Sequence, residues 1–194
     1  FFNGVALGAG VVISKYFGAK DYGQMKRAIH TDLAFGFVAG LVLMVFGVVM
    51  TPIILGWMRT PADIIEGSIV YFRIYSMGIL FCVMYNITMG IMTATGDSTH
   101  PLMYLLISSV TNVILDLFFI KVLHTGVGGA AAATVIGQGL SFVLCFIRLV
   151  RTNEVYKVSI KEISFDMPLL KEIIRYGLPS GIQNSVIALA NVFV

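Results

Sequence analysis

The stretch LAFGFVAGLVLMVFGVVMTPIILGWM, residues 33–58, contains no charged side chain and is almost entirely apolar. A helix needs about 20 mostly apolar residues to cross the hydrocarbon core of a bilayer, so this stretch is long enough to span a membrane. The whole chain has the same character, since 58% of its 194 residues are hydrophobic and 12% are charged. An average soluble domain has about 25% charged residues. The sequence therefore predicts an integral membrane protein.

Further long apolar runs lie on both sides of this stretch, and we expect five or six membrane spans. They are the tail of a first span at 1–13, the run 33–58, and the runs 74–96, 102–122, 122–147 and 176–194. Polar segments rich in Gly, Pro, Asp and Thr separate these runs, as is typical of loops, so successive spans alternate in direction. Both ends of the chain lie in apolar runs, and we expect a fragment cut through helices. The predicted fold is an all-α polytopic membrane protein.

Basic residues are concentrated in two of the predicted loop regions. Ten of the 13 Lys and Arg residues are Lys15, Lys20, Lys26 and Arg27 after the first span, and Arg148, Arg151, Lys157, Lys161, Lys171 and Arg175 after the fifth. Alternation of the spans places both regions on one side, which is the cytoplasm by the positive-inside rule. We therefore expect a bacterial-type inner (plasma) membrane protein with cytoplasmic basic loops. No aromatic residues are interleaved at a spacing that would stack bases, so the expected partner is the lipid bilayer and not nucleic acid.

Two polar residues, His30 and Asp32, directly precede the uncharged run 33–58. We interpret them as the beginning of a helix at the cytoplasmic rim, where the helix dipole favours an acidic side chain. On this interpretation neither residue has a role in chemistry.

Enzyme signatures are missing from the sequence, which has no G-x-S-x-G, P-loop, H-E-x-x-H or C-x-x-C motif. Cys82 and Cys145 each lie in an apolar run, where a free cysteine behaves as a small buried hydrophobe. We therefore expect no disulfide, no metal site, no cofactor and no enzymatic activity.

Asn112 and Asp116 interrupt the apolar run 102–122. At four positions apart on a helix, their side chains lie on one face about one turn from each other. An ionised carboxylate in lipid costs about 2.5–3.5 kcal/mol on insertion scales, so Asp116 should face the protein interior. Two interpretations remain open: the pair either holds a neighbouring helix by hydrogen bonds or forms a functional site.

The turn HTGVGG, residues 124–129, joins this run to the next one. Asp116 precedes the turn by about as many residues as Thr134 follows it, which puts both about 13 Å below the turn at 1.5 Å per residue. In an antiparallel helix pair their oxygens can therefore converge. The second helix carries a small residue at every fourth position, which favours close packing; these are Gly129, Ala133, Gly137 and Ser141. A carboxylate, an amide oxygen and a hydroxyl at one depth suit either a proton or a sodium ion.

Three segments resemble successive motifs of the MATE (multidrug and toxic compound extrusion) family of transporters. They are residues 11–30, 85–102 and 111–138, the last two of which contain the patterns G-D-x-x-x-P, N-x-x-x-D and G-x-x-G-A-A-x-A-T. The resemblance covers residues 1 to about 150, and residues 176–194 look like the start of the family's second half. It implies twelve helices in two six-helix lobes, a central cavity, and alternating access driven by proton or sodium entry.

The resemblance also implies a division of this chain. Residues 1–150 would form most of the first lobe, namely the family's helices two to six. Residues 151–170 would form a cytoplasmic linker between the lobes, and residues 171–194 would begin the second lobe with a truncated helix seven. The family's first helix, which supplies a further aspartate of the cation site, and the second lobe would be missing from this chain.

Site residues follow from the same resemblance. The family's first-lobe cation site uses an Asn and an Asp on helix five and a Thr on helix six, which match Asn112, Asp116 and Thr134. An Asn on helix four is matched by Asn86.

The resemblance implies an antiporter that couples proton or sodium entry to export of amphipathic, often cationic drugs and toxic organic compounds. The alternatives are a lipid-linked oligosaccharide flippase of the same superfamily and a non-transporting membrane structural protein.

Overall fold

The computed structural model describes the backbone of residues 2–193 and the side chains of residues 6–179, 181–183, 186 and 187. Within these limits the chain consists of helices and has no strand, so the predicted all-α fold is confirmed. The helices are α1 (Phe2–Gly18), α2 (Tyr22–Trp57), α3 (Ile65–Met77), α4 (Ile79–Ala94), α5 (Thr99–Leu117), α6 (Gly126–Arg151) and α7 (Met167–Phe193). A π-helical turn at Phe118–Val122 continues α5, and a 3₁₀ turn at Ile160–Glu162 precedes α7.

Four helical stretches are long and apolar enough to cross a membrane, namely Tyr22–Trp57, Ile65–Ala94, Thr99–Val122 and Gly126–Arg151. Many large apolar side chains on these helices face outward; Val42 and Val110, for example, are 61% and 60% exposed. A water-soluble protein rarely exposes such continuous apolar surface. The prediction of an integral membrane protein is therefore confirmed. The predicted run 176–194 lies partly outside the residues whose side chains are described.

Helix boundaries differ from the predicted spans. Helix α2 begins at Tyr22 and α3 at Ile65, so both begin in segments that the charge pattern assigned to loops. The reason is that hydropathy marks only the part of a helix that lies in hydrocarbon, whereas a helix continues into water without interruption. The interpretation of His30 and Asp32 as the beginning of a helix is wrong, because both lie well inside α2 and are only 3% and 2% exposed.

The chain divides into two compact units. The first comprises residues 1–37, 86–101 and 145–194, and the second comprises residues 38–85 and 102–144. Large apolar side chains that are fully buried in the first unit include Ile13, Met25, Ile29, Leu33, Ile91, Met92, Leu149 and Ile173. In this unit α1 and α7 meet backbone to backbone, because a Cβ atom added to Gly8 would lie 2.4 Å from the nitrogen of Gly177.

The face of α6 that meets α5 in the second unit carries small and polar residues. Ala131 and Ala133 on α6 are completely buried, and Ser141 on the same helix is 3% exposed. A Cβ atom added to Gly137 would lie 3.1 Å from the Cβ of Asn112 on α5. Small residues at these positions let α5 and α6 approach closely, as the four-residue spacing predicted.

The predicted inter-lobe linker, residues 151–170, packs within the first unit. Tyr156 and Val158 are buried, at 5% and 1% exposure. The backbone N–H of Val158 donates to the carbonyl of Leu149 at 3.0 Å, which ties the segment to the end of α6. This segment is therefore anchored by specific contacts. The division into first lobe, linker and second lobe stays a prediction.

Candidate functional site

Asp116 lies in the last turn of α5, directly before the π-helical turn Phe118–Val122. Its side chain is half-buried, and its Oδ1 atom is buried without a hydrogen-bond partner among the described residues. Most buried polar atoms in folded proteins do have a partner, so an orphaned carboxylate oxygen in an apolar span needs an explanation. The π-helical turn ends this helix, and such turns occur at the C-termini of other helices as well. No pattern in the sequence indicates this turn.

Asn112 lies one turn before Asp116 on the same face of α5. Its Nδ2 atom is also buried and has no partner in the described part of the chain. The backbone of α6 passes directly over this residue, because Gly137 has no side chain to hold the helices apart. A Cβ at that position would lie 3.4 Å from the carbonyl oxygen of Ser108 as well as 3.1 Å from the Cβ of Asn112. A larger residue at position 137 would therefore push α6 away from the site.

Thr134 lies on α6 and lines the same cleft as Asn112. The cleft has a volume of about 150 Å³, and its other polar lining residues include Ser108, Gln138 and Ser141. The hydroxyl of Thr134 donates its hydrogen to the carbonyl of Ala130 at 3.1 Å. Its oxygen lone pairs therefore remain free to accept a hydrogen bond or to bind a cation.

The structure brings Asn112 and Thr134 together at this cleft. Asp116 is not among the residues that line the cleft and lies one turn further along α5. Asn86 lies on α4, in the first unit. The convergence of Asp116, Asn112, Thr134 and Asn86 on one cation stays a prediction.

Metal-binding clusters of the usual kind are absent from the described residues, in which no three His, Cys, Asp or Glu side chains come together. The groups around Asn112 and Thr134 are instead hydroxyl and amide groups, whose oxygen atoms can act as ligands. Such oxygen ligands suit hard cations, of which sodium is one, and a nearby carboxylate suits a proton equally well. Cation binding at this site stays a prediction.

The G-D-x-x-x-P motif forms the connection between α4 and α5 in the first unit. Gly96 has a φ of +93°, which only glycine adopts without strain. The N–H of Asp97 donates to the carbonyl of Met92 at 2.8 Å, and the N–H of Gly96 donates to that of Thr93 at 3.0 Å. These two bonds are a Schellman motif, which ends α4 and turns the chain toward α5.

Asp97 then makes a small polar cluster at the start of α5. Its Oδ1 accepts hydrogen bonds from Nδ1 of His100 at 2.7 Å and from the backbone N–H of His100 at 3.3 Å. The hydroxyl of Tyr156 in the linker segment donates to Oδ2 at 3.4 Å. Burial raises the pKa of Asp97, but the hydrogen bonds from His100 outweigh burial, so the pKa lies below its ordinary value. This network stabilises the loop between α4 and α5.

A second set of contacts joins the linker segment to α2 in the first unit. Arg27 forms an ion pair with Asp166. The hydroxyl of Thr31 accepts from the N–H of Asp166 at 3.2 Å, and Nε2 of His30 accepts from the N–H of Ser159 at 3.1 Å. Sequence reasoning missed these contacts because the partners lie more than a hundred positions apart in the chain.

Comparison with known proteins identifies the family. The MatE family model matches residues 1–118. The chain is 30% identical over 203 aligned residues to the probable multidrug resistance protein YoeA of Bacillus subtilis (strain 168), covering all of this chain and 43% of that protein. It is 26% identical over 180 residues to the multidrug export protein MepA of Staphylococcus haemolyticus (strain JCSC1435), covering 93% of this chain and 40% of that protein.

A solved structure has the same fold. The crystal structure of MATE in the bent conformation matches with a TM-score of 0.92 and 24% identity, covering 99% of this chain and 43% of that chain. The chain thus spans less than half the length of the relatives that it matches. Because the family model covers more than half of the 194 residues, from 1 to 118, and the structural match covers nearly all of them, the chain belongs to the MatE family of membrane proteins.

Proposed function

We propose that this chain is part of an antiporter that exports amphipathic, often cationic drugs and toxic organic compounds in exchange for a proton or sodium ion. Relatives in this family carry the descriptions multidrug resistance protein and multidrug export protein, which supports the class of substrate. The single observation that carries the coupling role is the buried, unpartnered Oδ1 of Asp116. On this proposal the protein is a secondary transporter without a cofactor and not an enzyme.

Asp116 is the coupling carboxylate in this mechanism. An ionised carboxylate in hydrocarbon is strongly disfavoured unless a cation neutralises it. A proton on the carboxyl group, or a sodium ion beside it, supplies the missing partner of Oδ1. Binding of the cation therefore removes the free-energy cost of an unpaired carboxylate charge. This cost depends on how α5 packs against its neighbours.

Asn112 and Thr134 are the polar partners of the carboxylate. Thr134 offers an oxygen whose hydrogen already bonds to Ala130, which fits contact with a cation better than contact with an acceptor. Asn112 has a free amide donor at Nδ2, which fits a bond to the ionised form of Asp116 or to a water molecule. Asn86 on α4 is the fourth proposed member of the site.

Alternating access requires that the cation binds one of the two conformations of the transporter more tightly than the other. A ligand shifts an equilibrium only by its difference in affinity for the two conformations. Moving a two-state transporter from 1:99 to 99:1 takes about 5.5 kcal/mol of differential binding. We propose that cation entry from outside favours the packing of this lobe in which the drug is released outward. The proposed location is the inner (plasma) membrane with the basic loops in the cytoplasm.

A direct test uses Asp116→Asn in the full-length protein reconstituted in liposomes. With an imposed proton or sodium gradient, we expect gradient-driven flux of a cationic dye to fall to the level of protein-free liposomes. Asp116→Glu should retain part of the flux because it keeps a carboxyl group. Asp63→Asn is the matched control, since Asp63 is exposed in the loop before α3 and undergoes the same chemical change.

Two gradients imposed separately identify the ion. Flux that follows the pH gradient at constant sodium assigns the proton, and flux that follows the sodium gradient at constant pH assigns sodium. If Asp116→Asn remains folded and transports as fast as the wild type under both gradients, the coupling role of Asp116 is wrong.

A further inference from the structure

Three side chains on successive turns of α5 share an unusual property. Ser108, Asn112 and Asp116 each have a buried polar atom, Oγ, Nδ2 and Oδ1 respectively, that lacks a partner among the described residues. Their spacing of four places them in one stripe along a single face of the helix. Three unpartnered polar atoms in one stripe need partners that the described residues do not supply.

The facing side of α6 carries complementary groups. Thr134, Gln138 and Ser141 lie along one face of α6, and all three line the cleft shared with Ser108 and Asn112. The hydroxyl of Ser141 donates to the carbonyls of Gly137 and Gln138, at 3.3 Å and 2.9 Å. Like the hydroxyl of Thr134, it has its donor occupied and its lone pairs available. The cleft therefore presents an amide donor and a serine hydroxyl on α5 opposite acceptor oxygens on α6.

The size of the cleft suits water. Its volume of about 150 Å³ exceeds that of a single water molecule several times, since one water takes up about 30 Å³ in the liquid. A buried water needs two to four polar partners, and the residues of the cleft offer that number. A cleft lined by apolar residues would remain dry, whereas this one has polar groups on both walls.

Ser108 is the most deeply buried of the three residues in this stripe. Its side chain is only 3% exposed, and it lies beneath the close contact of α5 with Gly137. Water inside the cleft is the partner that fits the space.

We propose that the cleft between α5 and α6 holds a chain of ordered water molecules that runs from Asn112 and Thr134 to Ser108 and Ser141. This direction leads away from the turn at residues 124–129 and toward the predicted cytoplasmic ends of both helices. The water chain is the exchange path of the coupling cation, as a relayed proton or as a sodium ion that sheds and regains hydration. The role of this path rests on the proposed function, whereas the presence of water does not.

The presence of water is tested by a structure of the full-length protein at a resolution that shows ordered solvent. We expect at least two waters in the cleft, with one within hydrogen-bond distance of Ser108 Oγ and another within that distance of Asn112 Nδ2. Side chains that close the cleft, or a cleft without solvent density at that resolution, would overturn the proposal.

The role of the path is tested by single hydroxyl deletions in reconstituted full-length protein. Ser108→Ala removes a hydroxyl from the cleft, and Ser141→Ala removes one from the opposite wall. Each should lower gradient-driven dye flux by about two- to tenfold, the factor that corresponds to one ordinary hydrogen bond. The affinity for the dye, measured at equilibrium without a gradient, should not change. Thr111→Val is the matched control, since its hydroxyl donates to the carbonyl of Ile107 at 2.8 Å on an exposed part of α5.

The outcomes separate this inference from the proposed function. If Asp116→Asn abolishes coupled flux while both serine variants match Thr111→Val, the exchange path is wrong and the coupling role stands. If Asp116→Asn has no effect, the coupling role fails, and the water chain then stands or falls on the solvent density alone. Slow flux in both serine variants together with ordered water at Ser108 supports the path.

Discussion

The Nε2 atom of His30 accepts a hydrogen bond from the backbone N–H of Ser159, at 3.1 Å. The other ring nitrogen, Nδ1, lies 2.7 Å from the carbonyl oxygen of Lys26, which only accepts hydrogen bonds. Nδ1 must therefore carry the ring hydrogen and Nε2 must be bare, so the geometry requires the neutral imidazole with hydrogen on Nδ1. This bond is one of several contacts between the linker segment and α2, beside those that Asp166 makes with Arg27 and Thr31.

His30→Phe should weaken the attachment of the linker segment, because it leaves the N–H of Ser159 without an acceptor. We expect a loss of about 1 kcal/mol in stability and faster hydrogen exchange at the amide of Ser159. His30→Gln is the matched variant, since its side-chain oxygen reaches close to the position of Nε2 and should restore most of the protection. Equal exchange rates at Ser159 in the wild type and both variants would show that this bond does not hold the linker.

Gly96→Ala should destabilise the turn between α4 and α5. The φ of +93° at Gly96 is a conformation that other residues rarely adopt, and an alanine in the left-handed region costs about 1–2 kcal/mol. An added Cβ would have no atom within 4 Å, so the effect would come from the backbone alone. The thermal midpoint of the full-length protein in detergent measures the change. A midpoint equal to that of the wild type would show that the turn accommodates alanine without loss of stability.

Gly8→Ala and Gly10→Ala should have opposite effects on stability, although the two glycines are only two positions apart on α1. A Cβ on Gly8 would lie 2.5 Å from the carbonyl oxygen of Ile173 on α7, whereas a Cβ on Gly10 would have no atom within 4 Å. Forcing α1 and α7 apart costs about 1–3 kcal/mol. Replacing an unhindered helical glycine by alanine gains up to about 1 kcal/mol. Thermal midpoints of the two variants should therefore lie on opposite sides of the wild type, and the same sign for both would contradict the backbone contact.

Asp97 should make stability depend on pH in the acid range. Burial raises its pKa, but the hydrogen bonds from His100 lower it more, to below 3.8. A carboxyl group whose pKa is lower in the folded state stabilises the fold above its unfolded pKa and loses this effect as the pH falls through the folded pKa. Asp97→Asn should therefore be less stable than the wild type near neutral pH, and the difference should begin to shrink as the pH falls below about 4. Thermal midpoints measured from pH 6 down to pH 3.5 test this expectation, and a constant difference across the range would contradict it.

Much of this structure could be predicted because a bilayer imposes simple rules on a sequence. The uncharged run 33–58 had to be a spanning helix, and the small residue Gly137 had to allow close packing. The linker contacts of His30 and Thr31 could not be predicted, since they join distant residues through backbone groups that leave no pattern in the sequence. Asp32 was misread for a related reason: charge near the end of an apolar run indicates a membrane boundary but not where the helix begins.

Part of the candidate site could likewise be predicted from the sequence, and part could not. The position of Asp116 one turn from Asn112 follows from their spacing. The count of residues from the turn paired Thr134 with Asp116, whereas in the structure Asn112 is the residue that lines the cleft with Thr134. The orphaned oxygen of Ser108 could not be foreseen, because a serine in an apolar helix usually bonds to its own backbone, as Ser141 does. Only the packed structure distinguishes the two serines.

The π-helical turn at Phe118–Val122 allows the chain to lose one residue at this point. A π-helical turn is a turn of α-helix that holds one additional residue. Deleting one residue between Phe118 and Val122 would return the segment to α-helical form without rotating the preceding turn, which carries Asp116. A single-residue deletion can therefore be absorbed here, on the side of Asp116 away from Asn112, while the carboxylate keeps its orientation.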